Sequence, residues 1–273
     1  ALVGRSIEQN QLRNLDGLFL LEIERGERLI SPVGPEEVLQ DCDVLVPTVT
    51  DRIDGAMIQA AGPRLGLIAS FGAGTDHIDI AAAWNRRIIV SNTPGVFTED
   101  TADTAMALIV TGPRRFAEGI ATLRQGTWEG WGPSFMLGHR INGKQLGIVG
   151  MGRIGQAVAQ RARAFGLEIV YHNRNRLPEA FENMLGARYE PDLDRLIAES
   201  DILTLHCPAT VETHHMIDAR RIALMKPNAF VVNTARGMLI DEEALIEALE
   251  HRRIGGAGLD VYTHEPEIDP RFV

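Results

Sequence analysis

From Asp43 onward, short apolar runs alternate with longer stretches whose apolar positions recur at helical spacing. The short runs predict strands at Val44–Val46, Leu67–Ser70, Ile88–Ser91, Leu146–Val149, Ile169–Tyr171, Ile202–Leu205, Phe230–Asn233 and Ala257–Asp260. The longer patterns predict helices over 52–61, 77–85, 98–124, 153–165, 192–199 and 241–251. Alternation of this kind belongs to α/β proteins, in which helices cover both faces of a parallel sheet. Before Asp43 the pattern fixes no register, although Leu18–Ile23 reads as a candidate strand. The chain opens at Ala1 without an initiator methionine, so some N-terminal sequence is expected to be missing. Asn92-Thr93-Pro94-Gly95 punctuates the chain ahead of a long helical pattern and sets an expected domain boundary, 1–93 against 94–273. Gly112-Pro113 interrupts that helix, where the missing N–H and the ring predict a kink.

The run Leu146–Val149 leads into Gly150, Gly152 and Gly155 and then into the helix, which begins with Arg153 and Ile154. Strand, glycine turn and helix in this order give a G-x-G-x-x-G match its meaning. Gly150 serves the tight turn, Gly152 the approach of a pyrophosphate, and Gly155 the close packing of helix on strand, with the anion at the helix N-terminus. The next strand, Glu168–His172, ends in Asn173-Arg174-Asn175-Arg176. An NAD site usually places a carboxylate there for the ribose 2′-hydroxyl. Asn173 does not repel a 2′-phosphate, and Arg174 or Arg176 can fork onto one, so NADP is expected ahead of NAD. The plainer alternative is a solvated turn.

Two further strand ends carry candidate chemistry, where open α/β sheets bind ligands. Arg236 follows Asn233-Thr234-Ala235 and is suited to gripping a carboxylate in a fork, unless it is a surface arginine. Phe71-Gly72-Ala73-Gly74-Thr75-Asp76 can aim successive backbone N–H groups at an anion, or is an ordinary turn into the following helix.

Composition narrows the functional class. A net charge of −10 without a long basic run argues against nucleic acid or an anionic membrane as partner. No apolar stretch approaches the roughly 20 residues that span a bilayer, and no cleavable leader opens the sequence, so the cytoplasm is the expected compartment. With 273 residues, 45% of them hydrophobic, the chain can fill two cores. Cys42 and Cys207 make neither a disulfide framework nor a zinc site, and reduced thiols are expected. No metal is expected: His214 and His215 are neighbours, and neighbours on a helix or strand point apart. Gly126–Gly138, with Trp128, Trp131 and Phe135, reads as an exposed arm, a subunit contact or a self-packed loop.

Together these segments resemble the D-isomer-specific 2-hydroxyacid dehydrogenase family from about Asp43 to Pro266. The motifs are Phe-Gly-Ala-Gly-Thr-Asp-His-Ile-Asp at 71–79, Asn-Thr-Pro-Gly-Val at 92–96, Gly-Met-Gly-Arg-Ile-Gly at 150–155 and Leu-His-Cys-Pro at 205–208. Val-Asn-Thr-Ala-Arg-Gly at 232–237, Gly-Leu-Asp-Val at 258–261 and His-Glu-Pro at 264–266 complete them. Within the family the wording is most like bacterial glyoxylate/hydroxypyruvate reductases. The resemblance implies two doubly wound parallel-sheet domains, a flavodoxin-like substrate domain and a Rossmann dinucleotide-binding domain that lacks its last elements. It implies that Arg236 binds the substrate carboxylate and carbonyl and that the backbone of Ala73 and Gly74 holds the carboxylate. Glu265 would orient a proton-donating histidine. Asp260 would hold the nicotinamide carboxamide, while Thr101, Cys207, Pro208, Thr213, Thr234 and Ala235 line the cofactor. The implied reaction reduces glyoxylate or hydroxypyruvate to the D-2-hydroxyacid, with NADPH preferred, in a homodimer.

One departure stands out. The family's catalytic histidine lies in a Pro-His motif beyond His-Glu-Pro, and the chain ends at Val273 before one appears. The expectation is therefore an incomplete record of a normal enzyme, or else a truncated, inactive nicotinamide-binding homologue. Alternatives left open are a sensing scaffold of corepressor type and a dehydrogenase for another D-2-hydroxyacid, formate or phosphite.

Overall fold

The structure, a computed structural model, describes residues 23–25, 28–30 and 43–272. The chain divides into two compact units, Ala1–Phe97 and Thr98–Val273. In the first unit, β1 (Ile23–Arg25) and β2 (Arg28–Ile30) pair antiparallel. Of the candidate strand Leu18–Ile23, only Ile23 lies within the described residues. A three-stranded parallel sheet follows, β3 (Val44–Leu45), β4 (Leu67–Ala69) and β5 (Ile89–Ser91), with β4 central. Helices α1 (Gly55–Ala60) and α2 (Ile80–Asn85) begin later than their apolar patterns. The reason is capping: Asp54 accepts from Met57 N–H and Asp79 from Ala82 N–H, both at 2.9 Å, so each helix starts after its aspartate. Leu45, Ile53, Ile58, Ile68, Ile78 and Ile88 form this unit's core.

The second unit opens with α3 (Thr98–Thr111) and α4 (Phe116–Arg124). The expected kink at Gly112-Pro113 is a full break: the chain turns there, and Arg115 sits at φ 59° before a new helix starts. Six parallel strands then form one sheet in the order β11-β10-β9-β6-β7-β8. They are β6 (Gln145–Val149), β7 (Glu168–His172), β8 (Ala187–Tyr189), β9 (Ile202–Leu205), β10 (Phe230–Asn233) and β11 (Gly256–Leu259). The crossovers are α5 (Arg153–Ala164), α6 (Glu179–Leu185), α7 (Leu193–Glu199), α8 (Ala219–Ile222) and α9 (Glu242–Glu250). This is the Rossmann order, two half-sheets diverging from β6.

Every residue of β9 and β10 is buried, which explains why these strands are apolar apart from Thr204 and the terminal Asn233. Side chains alternate between the faces. Leu146, Ile148, Ile169 and Val232 pack with Ala105, Ile109 and Val158 on one side, while Val149, Val170, Leu203 and Val231 pack with Leu196, Leu245 and Ala248 on the other. Arg161 of α5 bridges Glu99 and Asp103 of α3 at 2.6 Å each, fastening the opening helix over the sheet. In this unit, α6, β8 and α8 lie outside the sequence expectation. Each is short, and β8 carries Arg188 at its centre, so none makes an apolar run.

Candidate dinucleotide and substrate site

At the carboxyl ends of β6 and β9 the strand order reverses, and both glycine loop and Leu-His-Cys-Pro segment emerge there. Gly150 has φ +98°, and a Cβ on it would lie 2.6 Å from His206 C and Cys207 N. Only glycine lets the two chain segments cross so closely. A Cβ on Gly155 would sit 2.3 Å from Gly150 O, so the helix rests directly on the turn. Gly152 differs, because a Cβ there would meet nothing within 4 Å. It is the N-cap of α5 and supplies no side-chain cap. The first turn of the helix, Arg153 to Gly155, therefore presents N–H groups toward open space, and the donor set fits a pyrophosphate.

The end of β7 is clamped to this loop. Met151 N–H donates to Asn173 Oδ1 at 2.7 Å, and the Tyr189 hydroxyl donates to Asn173 O at 3.0 Å. The two arginines beyond it have separate fates. Arg176 forks onto Glu182 of α6, with Nε at 2.9 Å and Nη2 at 2.7 Å, and lies over the Tyr189 ring. The guanidinium fork of Arg176 is thus engaged by a carboxylate of the protein in this structure. Arg174 is exposed and makes no hydrogen bond or contact ion pair among the described residues; its charge reaches Glu212 only at longer range. Glu182 is buried and also accepts from the Tyr171 hydroxyl at 2.7 Å. The Arg176 fork first, and Tyr171 second, hold its carboxyl down at about 2.

In the segment after β9, burial pushes His206 down to about 4, so its ring is neutral at pH 7. Its Nε2 lies 2.9 Å from Thr204 Oγ1, and its Nδ1 is buried without a partner among the described residues. Burial likewise pushes the Cys207 thiol up to about 11, which keeps it protonated at pH 7. Thr213 Oγ1 donates to Pro208 O at 2.8 Å and accepts from Thr210 N–H at 2.7 Å, which fixes the turn that carries Pro208. His214 and His215 do not point apart: their rings stack at 4.0 Å. The expectation assumed helix or strand, whereas His215 adopts φ 48° in a turn. Among the described residues no three potential metal ligands converge.

Past β10, the Asn233 side chain braces its own loop, accepting from Ala235 N–H at 3.0 Å and donating to Arg236 O at 2.8 Å. Thr234 is buried, and Arg236 is half-buried with Nη1 donating to Ala235 O at 2.7 Å. Asp260 N–H donates to Asn233 O at 3.0 Å, so the β10 and β11 ends, and hence Arg236 and Asp260, share one edge. Burial first, and the Glu265 charge second, raise the Asp260 pKa. Glu265 accepts from Tyr262 N–H at 2.7 Å, and no histidine pairs with it among the described residues. Thr101 lies in the first turn of α3, half-buried. In the first unit, Asn92 Nδ2 donates to Ala73 O at 2.8 Å and Thr93 N–H to Gly72 O at 3.0 Å. The N–H groups of Ala73 and Gly74 carry no hydrogen bond among the described residues. Nothing in the sequence singled out Glu182, Tyr171 or Tyr189, since each sits in an ordinary pattern position.

The sequence profile of the "D-isomer specific 2-hydroxyacid dehydrogenase, NAD binding domain" matches residues 106–272. A glyoxylate reductase of Thermococcus litoralis is 44% identical over 268 residues, covering 97% of this chain and 80% of that protein. Among solved structures, a glyoxylate reductase from Paecilomyes thermophila superposes with TM-score 0.78 at 41% identity, over 84% of this chain and 70% of that one. An acyclic imino acid reductase in complex with NADPH and D-Arg gives TM-score 0.76 at 32% identity, over 84% and 72%. Motif order, Rossmann strand order and these likenesses converge: the chain belongs to the D-isomer specific 2-hydroxyacid dehydrogenase family of NAD(P)-dependent oxidoreductases.

Proposed function

We propose that this chain reduces a small 2-oxoacid, glyoxylate or hydroxypyruvate, to the D-2-hydroxyacid with NADPH preferred over NADH. The observation that carries the cofactor choice is the end of β7, where an amide replaces a carboxylate and an exposed arginine without a contact partner follows it. The substrate class follows relatives such as the glyoxylate reductase of Thermococcus litoralis. Gly152 and the first turn of α5 would hold the pyrophosphate, with Thr101, Cys207, Pro208, Thr213, Thr234 and Ala235 lining the remainder. The bound dinucleotide supplies hydride to the carbonyl carbon. Arg236 binds the carboxylate and draws charge toward the carbonyl oxygen, Asp260 orients the carboxamide, and Glu265 would orient a proton-donating histidine, which the family resemblance places in a Pro-His motif beyond His-Glu-Pro. The Ala73 and Gly74 N–H groups form the anion-binding turn of the first unit.

Arg174→Ala is expected to weaken NADPH roughly 10- to 100-fold, the worth of one charge-assisted contact, and to leave NADH unchanged. Titration of both cofactors reads this directly; an unchanged preference would remove the phosphate assignment. A homodimer is also part of the reading. Phe116 and Leu123 on α4, with Trp128, Trp131 and Leu137 on the following arm, leave large apolar side chains in water. Sedimentation should show a dimer that Trp131→Glu dissociates, and a monomeric parent protein would sink the idea.

A further inference from the structure

We propose that Glu182 is a positioning residue for the adenosine 2′-phosphate, acting through the turn that displays Arg174. This rests on the NADPH reading above. The turn between β7 and α6 is held at two places. At its start, Asn173 is bound by Met151 N–H at 2.7 Å and by the Tyr189 hydroxyl at 3.0 Å. At its end, Arg176 forks onto Glu182, and Leu177 N–H donates at 2.8 Å to the Tyr171 hydroxyl, which itself donates to Glu182 at 2.7 Å. Arg174 and Asn175 span the gap between the two clamps and are exposed.

The arrangement divides labour between two arginines separated by one residue. Glu182 is buried, and its two oxygens are taken by Arg176 and Tyr171, so Arg176 stays on the protein and Arg174 is left for a ligand. A turn ordered beforehand does not have to be ordered by the phosphate, and that difference appears as affinity. The effect should be confined to ligands that carry the 2′-phosphate, because the pyrophosphate loop also rests on the close contacts of Gly150 and Gly155, and its bond to the turn, Met151 N–H to Asn173 Oδ1, is removed by neither substitution below.

The test uses adenosine fragments and requires no turnover. Calorimetric titration of the full chain with 2′,5′-ADP and with 5′-AMP is compared for the parent protein, Glu182→Gln, Tyr189→Phe and Arg174→Ala. Glu182→Gln keeps the shape but weakens the fork; Tyr189→Phe loosens the other clamp without touching the buried carboxylate, and serves if Glu182→Gln folds poorly. Both are expected to weaken 2′,5′-ADP about 3- to 10-fold, the cost of ordering a side chain or two, with 5′-AMP within a factor of about two. Equal losses for both ligands would show a merely structural role. Unchanged or tighter 2′,5′-ADP binding would overturn the proposal, the tighter case making Arg176 the phosphate ligand. If Arg174→Ala alone abolishes the 2′-phosphate preference, the positioning role falls and the NADPH reading stands. A parent protein with no preference between the fragments removes both.

Discussion

Arg236→Ala is expected to lower kcat/KM for the 2-oxoacid by about 10²–10⁴ while NADPH affinity stays nearly intact. Each hydrogen bond to a charged group is worth roughly 1.5–3 kcal/mol, and a fork loses two of them together. The side chain lies at the end of β10 on a loop that Asn233 braces from both directions, so its removal leaves the loop's backbone contacts in place. Arg236→Lys keeps the charge without the planar fork and should recover only part of the loss. Steady-state kinetics beside a cofactor titration separate the cases. If the substitution weakens NADPH in proportion to turnover, Arg236 has a structural role and the carboxylate assignment fails.

The glycine loop gives a second large effect that divides between stability and binding. Gly150→Ala places a Cβ 2.6 Å from the backbone of His206 and Cys207 at φ +98°. Left-handed strain of roughly 1–2 kcal/mol and overpacking of roughly 1–3 kcal/mol add to about 2–5 kcal/mol, a large fraction of ordinary domain stability. At about 2–4 °C per kcal/mol for a domain of this size, thermal unfolding should fall by about 4–20 °C. Gly152→Ala should behave in the opposite way. Its Cβ meets nothing within 4 Å and its φ of −79° suits any residue, so the melting temperature should hold. What it loses is cofactor, since the methyl group occupies the space a pyrophosphate needs. Comparable melting losses in both variants would show that the space above Gly152 is not a ligand site.

The contrast between these glycines marks the limit of sequence reading. By itself the sequence determined that the second unit is α/β, because strands buried on both faces need largely apolar runs, and Ile202–Leu205 and Phe230–Asn233 supply them. It also determined the dinucleotide loop, since three glycines between a strand and a helix answer local backbone demands. Helix starts at Gly55 and Ile80 are displaced from their apolar patterns by the capping of Asp54 and Asp79. The short elements α6, β8 and α8 had no such signature, because their order comes from neighbours rather than from their own periodicity. Tertiary structure alone decided which arginine is held by a carboxylate of the protein. Arg174 and Arg176 are equivalent in sequence, and the difference is a buried carboxylate on a helix that no local pattern announces. It also decided the strand order that brings the β6 and β9 ends together, and the stacking of His214 on His215. Periodicity and turn chemistry are local and can be read along the chain, whereas the pairing of distant side chains depends on the path of the whole fold.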